Sequence, residues 1–341
     1  MVVQKAASTG RIMLDNGIEV VSIACPTRSW SDFLFALKSR RIAATADLCG
    51  YLTPELGFPF YAQNSFAVQH GIWWDGPGYR SIRGFMVRSI QSLRNWWLVH
   101  RVGAVVCVDT NFINYLRANG IAGPQDLRKC SYVPNYADIG LSREPSIEKI
   151  HQRWGRRSLL FLRRFEPQRG VDLFIRMCQL LHLRGIAFQA RMIGDGSLKE
   201  HARGRISALG LDRIVSIGAC AFDEVYCELD EASISIVPTE WSEGTSLSAA
   251  ESIVSGVPVI ATNVGGLANL IVPEFNGLLV APAAEELADA AALLLGDRDK
   301  YTDYALACLS MRHALSRDRW RREITCLLTR LGLIQSPETL A

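Results

Sequence analysis

No stretch of this sequence approaches the roughly 18 consecutive apolar residues that a membrane-spanning helix needs. The first thirty residues lack a basic start running into a continuous apolar segment, so no signal peptide is expected either. The nine cysteines are odd in number and never stand in C-x-x-C spacing, which argues against a disulfide framework and against a zinc site. Most fall in apolar runs and are expected to be buried thiols, in keeping with a reducing cytoplasm. Internal repeats and low-complexity tracts are missing, which excludes a solenoid. Acidic residues are missing locally: none occurs between Asp75 and Asp109.

What is present is an ordinary globular composition, 49% apolar and 21% charged, in a chain of 341 residues, enough for two domains that each bury a core. The net charge is only +3, and nucleic acid is not among the expected partners. The small excess is uneven, because residues 1–150 hold 16 Lys/Arg against 11 Asp/Glu.

Taken in order, residues 4–16 read as a helix ending at Asn16-Gly17, and 18–24 as a strand. A helix is expected over 30–41, with buried strands at 66–69 and 104–108. The polar run 140–156 suggests a linker. Further strands are expected at 158–162, 188–193, 214–218, 232–238 and 257–261, with helices at 173–183 and 247–255 between them. Strands alternating with helices imply an α/β chain built on parallel sheets, whose ligands sit at the carboxyl ends of the strands.

Around that pattern one corner stands out, Glu243-Gly-Thr-Ser-Leu-Ser-Ala-Ala-Glu251, where a strand turns into a helix. Gly244 permits close approach of a ligand, and the backbone N–H groups of Thr245, Ser246 and Leu247 lie where a helix N-terminus attracts a phosphate. Glu243 can face the group beyond the phosphates, and Glu251, two turns in, can accept from a ligand hydroxyl. The plainer alternative is an N-terminal helix acid and a solvated face residue.

The segment 79–101 carries Arg80, Arg83, Arg88, Arg94 and Arg101 with Trp96 and Trp97. On a continuous helix all but Arg88 fall within about 60° of one another. Such a face suits an anionic membrane surface or an anionic acceptor, and equally a solvated basic helix. Asp109-Thr110 follows a strand and reads as a helix cap.

The corner, together with Ser255-Gly-Val-Pro-Val-Ile-Ala-Thr-Asn-Val-Gly-Gly266, Asn276-Gly-Leu-Leu-Val280, Phe161-Leu-Arg-Arg-Phe-Glu-Pro-Gln-Arg-Gly-Val-Asp172 and Ile193-Gly-Asp-Gly196, resembles retaining glycosyltransferases of family 4, of the group 1 type, with their E-x7-E motif. The resemblance covers residues 155–335 well and 60–140 more loosely. It implies the GT-B fold, two Rossmann-like lobes facing across a cleft. The expected division is an N-terminal acceptor-side lobe over 1–140, a linker over 141–156, a nucleotide-sugar lobe over 157–315, and a C-terminal helix over 316–341 packing back toward the first lobe. The family's first strand and glycine-rich loop are not visible ahead of the expected 4–16 helix, so the first lobe reads as shortened.

By the same resemblance, Arg164 and Arg169 hold the donor diphosphate, Glu243 with the backbone of Gly244, Thr245, Ser246 and Leu247 meets the sugar, and Glu251 takes the ribose hydroxyls. His70 reaches the donor from the first lobe, although a histidine beside Trp73 and Trp74 also suits a structural hydrogen bond. Asp109 and Thr110 border the acceptor. Arg163 stands where the family has Gly, Arg169 where it has Lys, and Tyr136 where its V-P-N-G motif has Gly. The implied reaction moves a sugar, with retention and without a metal or other cofactor, from a nucleoside diphosphate sugar to a glycan or glycolipid hydroxyl. Cell-envelope polysaccharide or lipopolysaccharide synthesis is the expected setting, in the cytoplasm or peripherally on the inner face of its membrane. A non-catalytic nucleotide-sugar-binding protein and a GT-B epimerase are the rival readings.

Overall fold

The computed structural model describes residues 1–25, 30–74, 76 and 81–335. Close contacts divide the chain into two compact units, one of residues 1–70, 78–133 and 322–341, the other of residues 71–77 and 134–321.

In the first unit, strands β1 (Val2–Ala6), β2 (Gly10–Met13) and β3 (Glu19–Ala24) form a three-stranded sheet, β1 parallel and β2 antiparallel to β3. The helix expected over 4–16 is therefore absent, and a strand does precede β3. The Asn16-Gly17 pair, expected to stop a helix, instead turns a hairpin, with Gly17 at φ 77° and its N–H bonded to Leu14 O. Helix α1 (Ser31–Ala44) leads to a separate four-stranded parallel sheet of β4 (Cys49–Tyr51), β5 (Ser65–Gln69), β6 (Ala104–Cys107) and β7 (Cys130–Tyr132), in that order. Helix α2 (Ile82–Arg101) connects β5 to β6, and α3 (Thr110–Ala118) and the short α4 (Pro124–Leu127) connect β6 to β7.

The second unit opens with α5 (Ile147–Arg156), inside the stretch expected to be a linker. Its charges misled, because Ile150 and Arg153 are buried beneath an otherwise polar surface. There follow β8 (Ser158–Leu162), α6 (Val171–Leu183), β9 (Gln189–Ile193), α7 (Lys199–Ala208), β10 (Val215–Gly218), α8 (Val225–Glu231), β11 (Ile234–Val237), α9 (Leu247–Val254), β12 (Val259–Thr262) and β13 (Gly277–Val280). Helices α10 (Ala284–Gly296) and α11 (Arg298–Ser310) follow, and α12 (Arg317–Arg330) begins in this unit, its residues from 322 onward belonging to the first.

The sheet of this unit is wholly parallel and covered on both faces, which explains the apolar runs of β8, β12 and β13. Alternation sorts them: Leu159 and Phe161 enter the core shared with α6 and α10, while Leu160 enters the core shared with α9. Phe161 packs against Phe165 and Phe174 at ring distances of 5.7 and 5.3 Å. Each such ring, fully buried, contributes roughly 1.5–3 kcal/mol over leaving it exposed. The Asn276-Gly277 pair has a structural task, since Asn276 Nδ2 donates to Leu270 O (3.0 Å) and Oδ1 accepts from Val272 N (2.8 Å).

All nine cysteines are free, but only Cys25, Cys107, Cys178 and Cys308 are buried, and Cys227 and Cys326 are exposed. No helix among the described residues is long and apolar enough to cross a membrane.

Candidate active site

The six strands of the second unit run β10-β9-β8-β11-β12-β13. The chain starts at the centre with β8, winds outward to β10, returns to β11 beside β8, and winds outward the other way. Where the direction reverses, the loops after β8 and β11 leave on opposite faces of the sheet and open a crevice at the strands' carboxyl ends. Those loops are residues 163–170 and 238–246.

They meet through one carboxylate. Glu243 Oε2 accepts from Arg163 Nη2, from Arg169 Nη1 at 2.7 Å and from the Thr239 hydroxyl at 2.8 Å. Arg163 Nη1 also donates to Thr239 Oγ1 at 2.7 Å. All three bonds go to Oε2, and Oε1 accepts none from a described residue. Burial opposes the charge on Glu243, but the two guanidinium groups and the hydroxyl outweigh it and hold the carboxyl below its usual range. Burial likewise pushes Arg163 down, with Glu243 acting against the shift. Glycines let the loops come this close. Gly170, at φ 74°, lies so near Pro238 that a Cβ there would sit 1.7 Å from Pro238 O, and one on Gly265, at φ 58°, would sit 2.3 Å from Glu243 O.

Helix α9 starts at the same corner. Ser246 is its cap, accepting from Ala249 N at 3.5 Å and lying 3.2 Å from the Ser248 hydroxyl. Thr245 Oγ1 accepts from Asn135 N at 3.1 Å, which binds the V-P-N segment to the corner. That segment is held further by Arg319 Nη2 on Pro134 O (3.2 Å) and by Tyr136 edge-on to Trp320 (5.4 Å). Ser242 donates to Ile72 O at 2.9 Å, tying Ile72 to the corner as well. Glu251 lies further into α9, accepts no side-chain hydrogen bond from a described residue, and is pushed up to about 7 by burial.

The loop after β8 thus brings Arg169 onto Glu243, while Arg164 stands away, exposed, with its nearest carboxylate Glu166 at 3.4 Å. Two inward residues that the spacing motifs do not mark as binding groups are Arg163 and Thr239. Strand parity is the signal that finds Arg163, because it shares a face with the fully buried Leu159 and Phe161.

In the first unit, His70 follows β5, and its Nε2 lies 2.9 Å from Leu52 O, a bond in which the ring nitrogen donates. Asp109 is buried after β6 and caps α3 by accepting from Phe112 N at 3.1 Å, with Thr110 as the first helical residue. Arg80 of the basic segment lies outside the described residues.

Residues 142–307 match the family described as Glycosyl transferases group 1. An uncharacterized glycosyltransferase of Methanocaldococcus jannaschii is 37% identical over 120 residues, 35% of this chain and 32% of the relative. The lipopolysaccharide core biosynthesis mannosyltransferase LpsB of Rhizobium meliloti is 35% identical over 153 residues, 40% of this chain and 41% of the relative. Neither relative is matched over as much as half of its own length. Among solved structures, Anabaena HepE in complex with UDP superposes with a TM-score of 0.72 at 18% identity, over 91% of this chain and 86% of that one. The chain has the GT-B fold, two Rossmann-like units, and its residues 142–307 match the group 1 glycosyltransferase family.

Proposed function

We propose that the chain transfers a sugar from a nucleoside diphosphate sugar to a hydroxyl of a glycan or glycolipid, with retention of anomeric configuration. The observation that carries this reading is the crevice between β8 and β11, where two arginines, a carboxylate and a hydroxyl converge beside a helix start. Arg169 meets the donor's diphosphate, held in place by Glu243. Arg164, exposed on the same loop and only loosely paired, supplies a second cation. As the bond from the anomeric carbon to the phosphate oxygen breaks, charge builds on the leaving group, and fixed guanidinium groups stabilise it without reorganising. The new bond forms between that carbon and the acceptor oxygen, and the acceptor proton passes to the departing phosphate, so no side-chain base is needed.

Glu243 Oε1 is the atom left to accept from a sugar hydroxyl. Glu251 takes the ribose hydroxyls, an acceptor task that rewards its ionised form. The mannosyltransferase relative supports lipopolysaccharide or related envelope glycans as the acceptor class, and the UDP complex of HepE supports a nucleoside diphosphate as ligand. The test is release of nucleoside diphosphate from a panel of nucleotide sugars, with the product anomer read by NMR. One donor consumed with its anomeric configuration kept is the expected result. An inverted product overturns retention, and neither release nor saturable binding of any nucleoside diphosphate overturns the reading as a whole.

A further inference from the structure

Helix α2 is built inside out. At about 100° per residue, Ile82, Phe85, Met86, Ile90, Leu93 and Trp96 share one sector roughly 140° wide. These six side chains are between 41 and 86% exposed. The opposite, buried face carries Gly84, Gln91 and Asn95 along with Leu98 and Val99. A surface helix of a globular protein places its apolar stripe inward, and here the more apolar face looks out.

The charges on this helix are of one sign. Arg83, Arg94 and Arg101 line one edge of the apolar sector, at about 100–120° from Ile82, and Arg88 lies past the other. Arg94 is tethered, donating to Glu55 O at 3.3 Å, and Arg101 lies over the Trp97 ring at 4.5 Å. The nearby carboxylate Asp126 is already engaged by His100 (3.3 Å) and Lys129 (3.2 Å). With 20 residues the helix is roughly 30 Å long.

From this geometry we infer that α2 is an in-plane membrane anchor that lays its apolar stripe into the interface of an anionic bilayer, with the arginines at the headgroups. An amphipathic helix with a broad apolar face and cations beside it buries that face in the headgroup and acyl boundary, and each cation near an anionic surface adds to the attraction. A second copy of the chain is the poorer occupant. A two-fold pairing of α2 with itself brings like-charged arginine edges together, and the segment from 76 to 108 has no acidic residue to neutralise them. The sequence pointed to the arginines, whereas the structure makes the apolar stripe the leading element. Nothing in this inference depends on the transfer reaction.

The test is flotation of the full chain with vesicles of phosphatidylcholine alone and with about one third phosphatidylglycerol, alongside two double variants. The chain is expected to float with the anionic vesicles and to do so much less with the neutral ones. Ile90→Glu with Leu93→Glu is expected to lower partitioning at least tenfold on both. Arg83→Ala with Arg101→Ala is expected to lower it on anionic vesicles alone, by roughly fivefold for each arginine. These side chains are exposed, so unchanged thermal unfolding of both variants is the control for folding. Failure of the parent chain to float, flotation indifferent to anionic lipid, or flotation undiminished by the two glutamates overturns the inference. A concentration-dependent dimer that the glutamates dissociate, without flotation, assigns the stripe to self-association instead.

Discussion

Glu243 and Glu251 stand eight residues apart at one strand-to-helix corner, yet their surroundings drive them in opposite directions. The loop after β11 gives Glu243 three donors on one oxygen, and the carboxyl is held down although it is buried. The interior of α9 gives Glu251 burial and no side-chain donor, and the carboxyl is pushed up to about 7. The first is a joint that positions Arg169 through Oε2 and leaves Oε1 without a donor from a described residue. The second is a largely buried carboxyl that accepts no side-chain hydrogen bond from a described residue, and on the proposed reading the ribose hydroxyls supply its donors. Position in the motif is the same kind of information for both residues, and only the neighbours separate a carboxylate that is tied on one oxygen from one that is not tied at all.

The sharpest way to break this contrast is Glu243→Ala. Removing the carboxylate leaves Arg163 buried without its counter-charge, and breaking a buried pair in this way costs about 3–5 kcal/mol. Urea unfolding should show that loss, and a cost below about 1 kcal/mol would mean that the cluster does not hold the two loops together.

Glu251→Gln should act with the opposite sign. With its folded value raised above the ordinary 4.5, Glu251 keeps its proton longer when folded than when unfolded. Stability therefore falls as pH rises from the unfolded value toward 7, and above 7 the loss is complete. Replacing it by Gln should restore on the order of 2–3 kcal/mol at pH 8 and almost nothing at pH 4. The same variant should bind a nucleoside diphosphate more weakly. A more stable variant with unchanged nucleotide affinity would sharpen the contrast differently, leaving Glu251 a buried acid with no ligand.

Arg164→Ala completes the series. Its guanidinium is exposed, so stability should change by less than about 1 kcal/mol. Transfer should fall at least tenfold, about 1.4 kcal/mol of barrier, if the side chain meets the leaving phosphate. Activity within twofold of the parent would remove Arg164 from the site.

How much of this could be read from the chain alone varied with how local the deciding forces are. The strands of the second unit were legible because a strand buried on both faces tends to an apolar run with a sharp stop, as at Ile193-Gly194 and Ile217-Gly218. The N-terminal hairpin was not, since Asn16-Gly17 stops a helix or turns a hairpin equally well. Helix α5 hid behind its charges because few of its side chains are buried, Arg153 among them. The inward turn of Arg163 depends on Glu243, 80 residues further on, so spacing motifs place Arg169 and Arg164 but say nothing of the partner that engages Arg163. For α2 the arginines were visible, but which face packs inward is a tertiary outcome, and here it runs against the usual rule.

The strand order has one more consequence. Segments β8 to β10 and β11 to β13 are each nearly local in sequence, and they join at the single pairing of β8 with β11, where Ile234 faces Leu159 across a crossover of more than seventy residues. Such a pairing closes a long loop, so it is slow to form and its loss separates the two halves of the sheet. The Arg163–Glu243 joint and the crevice both lie at this seam. Whatever binds there stabilises the union of the halves by RT ln(1 + [L]/Kd), so occupancy of the crevice acts as a clasp on the fold of the whole unit.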